Sequence, residues 1–316
     1  MKFDVCSFLN QLESCIEHGQ EYAVLPHLDV GDHKLLTLEN NSFAICSCMK
    51  LHLYDPLVQR TFSDLSPTEL AFLLLFNPNT ATFWNYRRRL VQSGSLEADR
   101  ELRLTSLILK THPRSHESLF HRQWIIERYF LHLIDTVSES EFDFCDQIAD
   151  KYRMHYALWD YRRWLLQHVC GKASVLPAEL SRLSVWLRSH PTDTSGWSYL
   201  SHVLNKTINA DLGQRVLTDW WHRMLEILQL YPERECMWYF RRDLLTLMNA
   251  ASSTNLESID PMISEAKLLH ANLSRESFRS VEDFTWCSDH FPAVHTDPWM
   301  ALLTWRHLLW IARVIL

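Results

Sequence analysis

Apolar residues return at helical spacing over most of the chain. Residues 3–18 read as an amphipathic helix, with Phe3, Val5, Cys6, Leu9, Leu12 and Ile16 at helical spacing. Between residues 33 and 47 the rhythm changes. Leu36 and Leu38 alternate with Thr37 and Glu39, and after Asn40-Asn41 the alternation resumes at Phe43 and Ile45. A period of two interrupted by an Asn pair predicts a β-hairpin, with an irregular surface loop as the alternative. From Ser66 onward the helical period takes over. Ser66, Pro67 and Glu69 form a capping box that opens a short helix ending at Asn77-Pro78. The next helix carries Trp84, Arg87, Arg88 and Val91 on one face and stops near Gly94. Further helices are predicted at 96–111 and 115–135, then one started by a second capping box at 138–141, which leads to a helix around Trp159 that stops at Gly171. Two more pairs follow, 176–189 with 194–205 and 208–230 with 233–249. A polar loop at 250–258, a helix over 260–278, an irregular stretch at 279–297 and an amphipathic helix from Pro298 complete the pattern. That closing helix has no polar cap, so either it docks on another surface or the chain continues in a longer parent.

The second helix of each pair is written in similar words. Counting from Pro78, Pro113, Arg153, Pro191 and Pro232, position +6 holds Trp84, Leu119, Trp159, Trp197 and Trp238. Positions +9 and +10 hold Arg87 and Arg88, Arg122 alone, Arg162 and Arg163, then Leu200-Ser201, then Arg241 and Arg242; Trp124 and Trp164 stand at +11. The starting positions are 35, 40, 38 and 41 residues apart. Such a period with one aromatic-anchored helix per unit marks a helical repeat array, whose units bury their apolar faces only against neighbours. The fold expected is therefore all-α, a right-handed superhelical α-solenoid of antiparallel helix pairs resembling tetratricopeptide arrays. Residues 1–65 form an N-terminal cap with the hairpin, 66–250 five repeats, and 251–316 a C-terminal helical segment. Each Trp is expected to wedge between paired helices, with the arginines stacking on an indole or reaching carbonyls at helix ends.

Composition narrows the chemistry. Only 6 Gly in 316 residues leave no glycine-rich phosphate loop. A net charge of −7 without basic runs argues against nucleic acid. Met1-Lys2 leads into an amphipathic stretch rather than a signal peptide, and the closing segment, with Arg306 and Arg313, is too short and charged to span a bilayer. The 8 Cys include no CxxC pair, and Cys46-x-Cys48 alone is a weak hint of zinc. The expectation is reduced thiols in a cytoplasmic protein, without a metal or cofactor on this chain. No nucleophile with an oriented base is legible.

The residues just before each second helix carry the sharper signal, because free N–H groups and the helix dipole favour an anion there. The first start offers Asn79 and Ala81, the second Arg114 and His116, and the third Arg153, Met154, His155 and Tyr156. Thr192 and Thr194 stand at the fourth, Glu233 and Glu235 at the fifth. Basic and hydrogen-bonding groups thus gather in the second and third units.

Over residues 66–250, the recurring Pro, Trp and Arg-Arg spacing resembles the alpha-subunit repeat of protein prenyltransferases. The resemblance implies a crescent of hairpins around a separate α/α-barrel beta subunit, which holds zinc, the isoprenoid diphosphate and the acceptor cysteine. It places the family's diphosphate-facing Lys and Tyr on Arg114 and His116, and keeps Tyr156 in the third unit where Met154 replaces Lys. It further implies the non-catalytic alpha subunit of a geranylgeranyltransferase similar to the type III enzyme. The partner would be a Rab geranylgeranyltransferase type of beta subunit, and the substrate a protein such as a SNARE or a GTPase. A non-enzymatic helical-repeat adaptor that binds peptides is the alternative.

Overall fold

The computed structural model describes residues 4–26, 35–169, 171–172, 174–208, 213–251, 298–311 and 314. It divides into two compact units, residues 1–169 and 170–316.

In the first unit, α1 (Val5–His18) begins where Asp4 Oδ1 accepts the amides of Cys6 and Ser7 at 3.1 and 3.3 Å. Its buried residues Phe8, Leu12 and Cys15 pack on α3 (Pro67–Phe76) and α5 (Ala98–Thr111). The expected hairpin is present as β2 (Leu36–Glu39) and β3 (Ser42–Cys46), paired antiparallel. Asn40 and Asn41 sit at φ 45° and 63°, the left-handed pair that a two-residue hairpin turn requires. A third strand that the periodicity did not reveal, β1 (Glu21–Leu25), pairs parallel to β3. Tyr22 of this strand is buried, and its hydroxyl donates to the Leu75 carbonyl at 2.8 Å. The Thr111 hydroxyl donates in turn to the Tyr22 carbonyl at 2.8 Å. The sheet is thereby tied to the C-terminal ends of α3 and α5. Residues 50–54 and α2 (Asp55–Val58) lead from it to the repeats.

Three helix pairs follow in this unit: α3 with α4 (Ala81–Gln92), α5 with α6 (His116–Ile125), and α7 (Ile134–Lys151) with α8 (Tyr156–Val169). The capping box at Ser66 forms as expected, the Ser66 hydroxyl accepting Glu69 N and the Glu69 carboxylate accepting Ser66 N. Gly94, at φ 75°, ends the α4 turn. The second expected capping box does not form. Helical residues continue from α6 through a π-turn at 126–130 and a 3₁₀ turn at 131–133 straight into α7, so Ser138 lies inside a helix. Glu141 is drawn away from the backbone by Arg122 and Tyr161.

The second unit contains α9 (Val175–Ser189) with α10 (Thr194–Thr207), α11 (Gly213–Leu230) with α12 (Glu235–Ala250), and α13 (Pro298–Trp310) against α12. Asp193 caps α10 by accepting Gly196 N at 2.8 Å. The expected loop beyond residue 251, the helix at 260–278 and the stretch at 279–297 lie outside the described residues.

The four repeat tryptophans are 0–5% exposed, so each is the expected wedge. Their indole N–H groups do more than fill space. Trp84, Trp197 and Trp238 donate to the carbonyls of Pro78, Pro191 and Pro232, six residues earlier, at 2.7–2.9 Å. The next unit reaches the same carbonyl: the Ser115 hydroxyl donates to Pro78 O at 3.2 Å. Leu119 has no indole to offer Pro113, and there the His155 Nε2–H donates to the Pro113 carbonyl instead.

The two arginine positions do different work. At +9 the guanidinium is buried and finds a carboxylate. Arg87 pairs with Glu101, Arg122 with Glu141 through two bonds of 2.6 and 2.8 Å, and Arg162 with Asp146. Arg87 and Arg122 also reach the Pro67 and Leu102 carbonyls. Buried Arg241 lies 5.4–5.6 Å from the rings of Trp221 and Trp238. At +10 the side chains are only partly covered. Arg88 lies over Trp124, Arg163 pairs with Asp160 one turn back, and Arg242 lies between Tyr239 and Trp310.

Candidate functional site

The starts of α6 and α8 lie side by side in the first unit. Ser115 caps α6, its buried hydroxyl accepting Ser118 N at 3.3 Å. This leaves Arg114 outside the helix and His116 on its first turn. The α8 start is built differently. Met154, 58% exposed, takes a φ of 54°, a left-handed conformation unusual for a residue other than Gly or Asn. His155 behind it is buried, and its backbone carbonyl accepts the first helical amides, from Leu158 and Trp159.

The side chains settle into two contacts. The His116 and Tyr156 rings lie 5.2 Å apart, with the Tyr156 hydroxyl 3.5 Å from His116 Nε2, at the limit of a hydrogen bond. The Arg114 guanidinium lies 4.1 Å from the centre of the Tyr152 ring. The structure thus joins His116 to Tyr156 directly and sets Arg114 against the residue that precedes Arg153. Arg153 itself is exposed, and among the described residues no hydrogen bond or ion pair holds it. His155, read from the sequence as one of the interleaved basic groups, is turned inward to the Pro113 carbonyl, so it joins the two repeat starts rather than facing a ligand. Tyr152 was not singled out by the spacing. Its signal is its place one residue before the third start, where it supplies a flat face for the preceding unit's Arg114.

Basic character extends beyond the four candidates. Lys110 and Lys151 close the helices that lead into these two turns. Lys151 Nζ donates to Glu21 Oε1 at 2.7 Å, which depresses the Glu21 pKa, and Lys110 Nζ lies 3.4 Å from the Gln20 carbonyl. Two helix N-termini, the exposed Arg153, the Arg114 guanidinium stacked on Tyr152, an imidazole and a phenol make a surface suited to an anion with several oxygens. The fifth repeat start differs. Glu235 is paired with Arg306 of α13 at 2.6 Å, and Glu233 with Arg234 at 3.0 Å. Among the described residues no group of three or more His, Cys, Asp or Glu side chains could hold a metal, and no helix is long and apolar enough to cross a membrane.

A second constellation escaped the sequence reading, and it underlies the site. A buried glutamate stands twelve residues before each of the second, third and fourth starts: Glu101, Glu141 and Glu179. Each accepts from position +8 of its own unit: from His121 at 2.7 Å, Tyr161 at 2.6 Å and Tyr199 at 2.9 Å. Glu101 and Glu141 also accept the +9 arginine of the unit before. Burial pushes the Glu101 carboxyl up, but the Arg87 charge and the bonds from His121 and Arg87 outweigh it, and its pKa falls to about 2. Burial dominates at His121 and lowers its pKa, so the ring is neutral and donates Nε2–H to Glu101. Burial and the nearby Glu141 charge raise Tyr161, which stays protonated as a donor. These bonds fix the hairpins whose ends carry Arg114, His116 and Tyr156.

Residues 98–129 and 138–169, the second and third units, match the protein prenyltransferase alpha subunit repeat. The chain is 27% identical over 250 residues to protein prenyltransferase alpha subunit repeat-containing protein 1-A of Xenopus laevis, covering 62% of this chain and 58% of that one. It is 32% identical over 152 residues to protein prenyltransferase alpha subunit repeat-containing protein 1 of Danio rerio, covering 42% and 36%. It is 28% identical over 222 residues to geranylgeranyl transferase type-2 subunit alpha of Bos taurus, covering 62% and 38%. The matches span under three fifths of the length of these relatives. Two of the chain's repeats are thus similar to the alpha-subunit repeat of protein prenyltransferases.

Proposed function

We propose that this chain is the alpha subunit of a heterodimeric protein geranylgeranyltransferase of the type III kind. It scaffolds a zinc-containing beta subunit of the Rab geranylgeranyltransferase type, which transfers the lipid to a cysteine of a trafficking protein such as a SNARE or a GTPase. The observation that carries the reading is the pairing of the second and third repeat starts: Arg114, His116 and Tyr156 at two adjacent helix N-termini, within the two repeats that match the family. The likeness to a geranylgeranyl transferase alpha subunit supports the same assignment.

In this reading the chain performs no bond-making step. Its role is electrostatic. Charge grows on the diphosphate as the carbon–oxygen bond breaks, and a fixed cation stabilises that charge more in the transition state than in the ground state. Arg114 suits the task because Tyr152 holds its guanidinium against one surface, so little freedom is lost on meeting the anion. His116 and Tyr156 add hydrogen bonds from the neighbouring turn.

The test is single-turnover lipid transfer by the purified heterodimer. Arg114→Ala is expected to lower the rate roughly 10- to 1000-fold, the scale of losing one such donor, while the heterodimer still assembles. Arg114→Lys is expected to keep much of the rate. An Arg114→Ala heterodimer that turns over normally would remove Arg114 from the site. Failure of any barrel-type beta subunit to co-purify in stoichiometric amount would favour the peptide-binding adaptor.

A further inference from the structure

The N-terminal sheet ends in a cysteine pair that has no part in the proposed function. β3 finishes at Cys46, and the chain turns through Ser47 to Cys48 before the helical residues begin. The turn is pinned from several sides. Cys46 N donates to Leu35 O at 3.0 Å, Ser47 N to Leu25 O at 2.7 Å, and Lys50 N to Ser47 O at 3.0 Å. Held this way, the two thiols meet: the Cys48 thiol donates to Cys46 Sγ at 2.7 Å. A disulfide bond is about 2.0 Å long, so a small movement would bring the sulfurs to bonding distance. Cys46 is buried, whereas Cys48 is partly open to solvent. Zinc is a poor fit, since it takes about four ligands and no third His, Cys, Asp or Glu among the described residues joins the pair.

We propose that Cys46 and Cys48 are a reversible redox pair that closes to a disulfide by exchange with a low-molecular-weight disulfide such as oxidised glutathione. Cys48, the accessible thiol, loses its proton to solvent. Its thiolate attacks one sulfur of glutathione disulfide and expels a glutathione thiolate, which is then protonated. Cys46 loses its proton in turn and attacks Cys48 Sγ, expelling the second glutathione. Two protein thiols are oxidised, and one glutathione disulfide is reduced to two thiols. The first step is slow at neutral pH, because burial and the neighbouring Cys46 push the Cys48 pKa up to about 11. The second is favoured by the enforced proximity of the two sulfurs. Closure stiffens the turn where the sheet meets the helices. That sheet is the one bonded to the ends of α3 and α5 through Tyr22.

The pair is testable by mass, because cleavage after Lys34 and Lys50 releases residues 35–50 with both cysteines and no others. The full chain is incubated in glutathione mixtures of rising oxidised fraction, quenched in acid, blocked with N-ethylmaleimide and digested. The expected peptide is two hydrogens lighter than the dithiol and carries neither glutathione nor maleimide. A thiol reductant reverses the change. Cys46→Ser should trap glutathione on Cys48 at roughly tenfold or more the level in the unaltered chain, whose second step removes it. Cys48→Ser should leave Cys46 unmodified. Two maleimides on the unaltered peptide, under conditions that glutathionylate exposed Cys6, would overturn the proposal. So would glutathione retained on Cys48 in the unaltered chain as fully as in Cys46→Ser.

Discussion

Where the second repeat meets the third, Arg122, Glu141 and Tyr161 form a buried charged knot. The same three positions around the fifth repeat hold Leu200, Trp220 and Phe240. The sequence puts Arg87, Glu101 and His121 in this frame, then Arg122, Glu141 and Tyr161, then Arg162, Glu179 and Tyr199, and finally the apolar set. The fourth unit's missing arginine, which breaks the repeat wording, therefore has a physical reason. With Trp220 where a glutamate would stand, a buried Arg at position 200 would have no carboxylate, and an unpaired buried charge is costly. All three positions change together: Trp220 and Phe240 pack edge to face at 6.5 Å, and Leu200 is fully buried. Both sets fill a junction between hairpins. The charged set also fixes direction, because the bidentate Arg–Glu bond tolerates little rotation. It occurs in the unit that carries the candidate anion surface.

The largest effect should come from breaking a charged knot halfway. Arg122→Leu strands Glu141 and Tyr161 in a buried site and should cost about 3–5 kcal/mol. Converting the whole set, with Arg122→Leu, Glu141→Leu and Tyr161→Phe, should cost less than the single change, because no buried charge remains. Urea titrations of the single and triple variants check this. A triple variant less stable than Arg122→Leu would mean that the knot stabilises in its own right, and that the fifth repeat's apolar set is not an equivalent solution.

Acid should separate the two kinds of junction next. His121 has a depressed pKa, so as pH falls below the ordinary value of about 6.5 the unfolded chain takes up a proton that the folded chain refuses. Stability is then lost on acidification. Glu101, lowered to about 2, adds a second loss as pH falls from about 4.3, the ordinary Glu value, towards 2. Amide exchange in α4 to α6, followed from pH 7 to pH 3, should show opening that grows through both windows. The junction of Leu200, Trp220 and Phe240 has no titrating group to do the same. His121→Tyr, the residue used by the third and fourth units at this position, should abolish the upper window and leave the lower one.

The division between what the sequence revealed and what it concealed follows the range of the interactions. The tryptophan wedges, the Ser66 capping box and the Asn40-Asn41 turn were legible because each depends on residues a few positions apart. The strand β1 was not, since parallel pairing with β3 leaves no turn between partners to read. The motif at residues 138–141 misled for the converse reason. Its spacing is that of a capping box, but a buried guanidinium outbids a backbone amide for the Glu141 carboxylate. Glu101 and Glu141 were missed because they lie 14 and 19 residues beyond their arginines, in the next unit, where no helical period links them. At the candidate site, Arg114, His116 and Tyr156 were named from their positions, but the inward turn of His155 was not foreseeable. It depends on Leu119 leaving the Pro113 carbonyl without an indole donor.

The smallest effect is a reciprocal exchange of one oxygen atom between the two junctions. Tyr161→Phe removes the hydroxyl that donates to Glu141 at 2.6 Å, while Arg122 still holds both carboxylate oxygens. The loss should be about 1.5–3 kcal/mol, the range for one hydrogen bond to a charged group. Phe240→Tyr adds the same hydroxyl to a ring that is 1% exposed, packed 4.9 Å from Trp197 and facing Trp220 where the other units have glutamate. Neither indole ring offers an oxygen to accept the new proton, so that hydroxyl loses its water without gaining an acceptor. The cost should be about 1–3 kcal/mol. Adding an atom should therefore hurt as much as deleting one, which simple cavity reasoning does not predict. Paired denaturant midpoints of the two variants decide the matter. A neutral Phe240→Tyr would mean that water or a backbone carbonyl reaches the fifth junction, and the two junctions would then differ in charge but not in dryness.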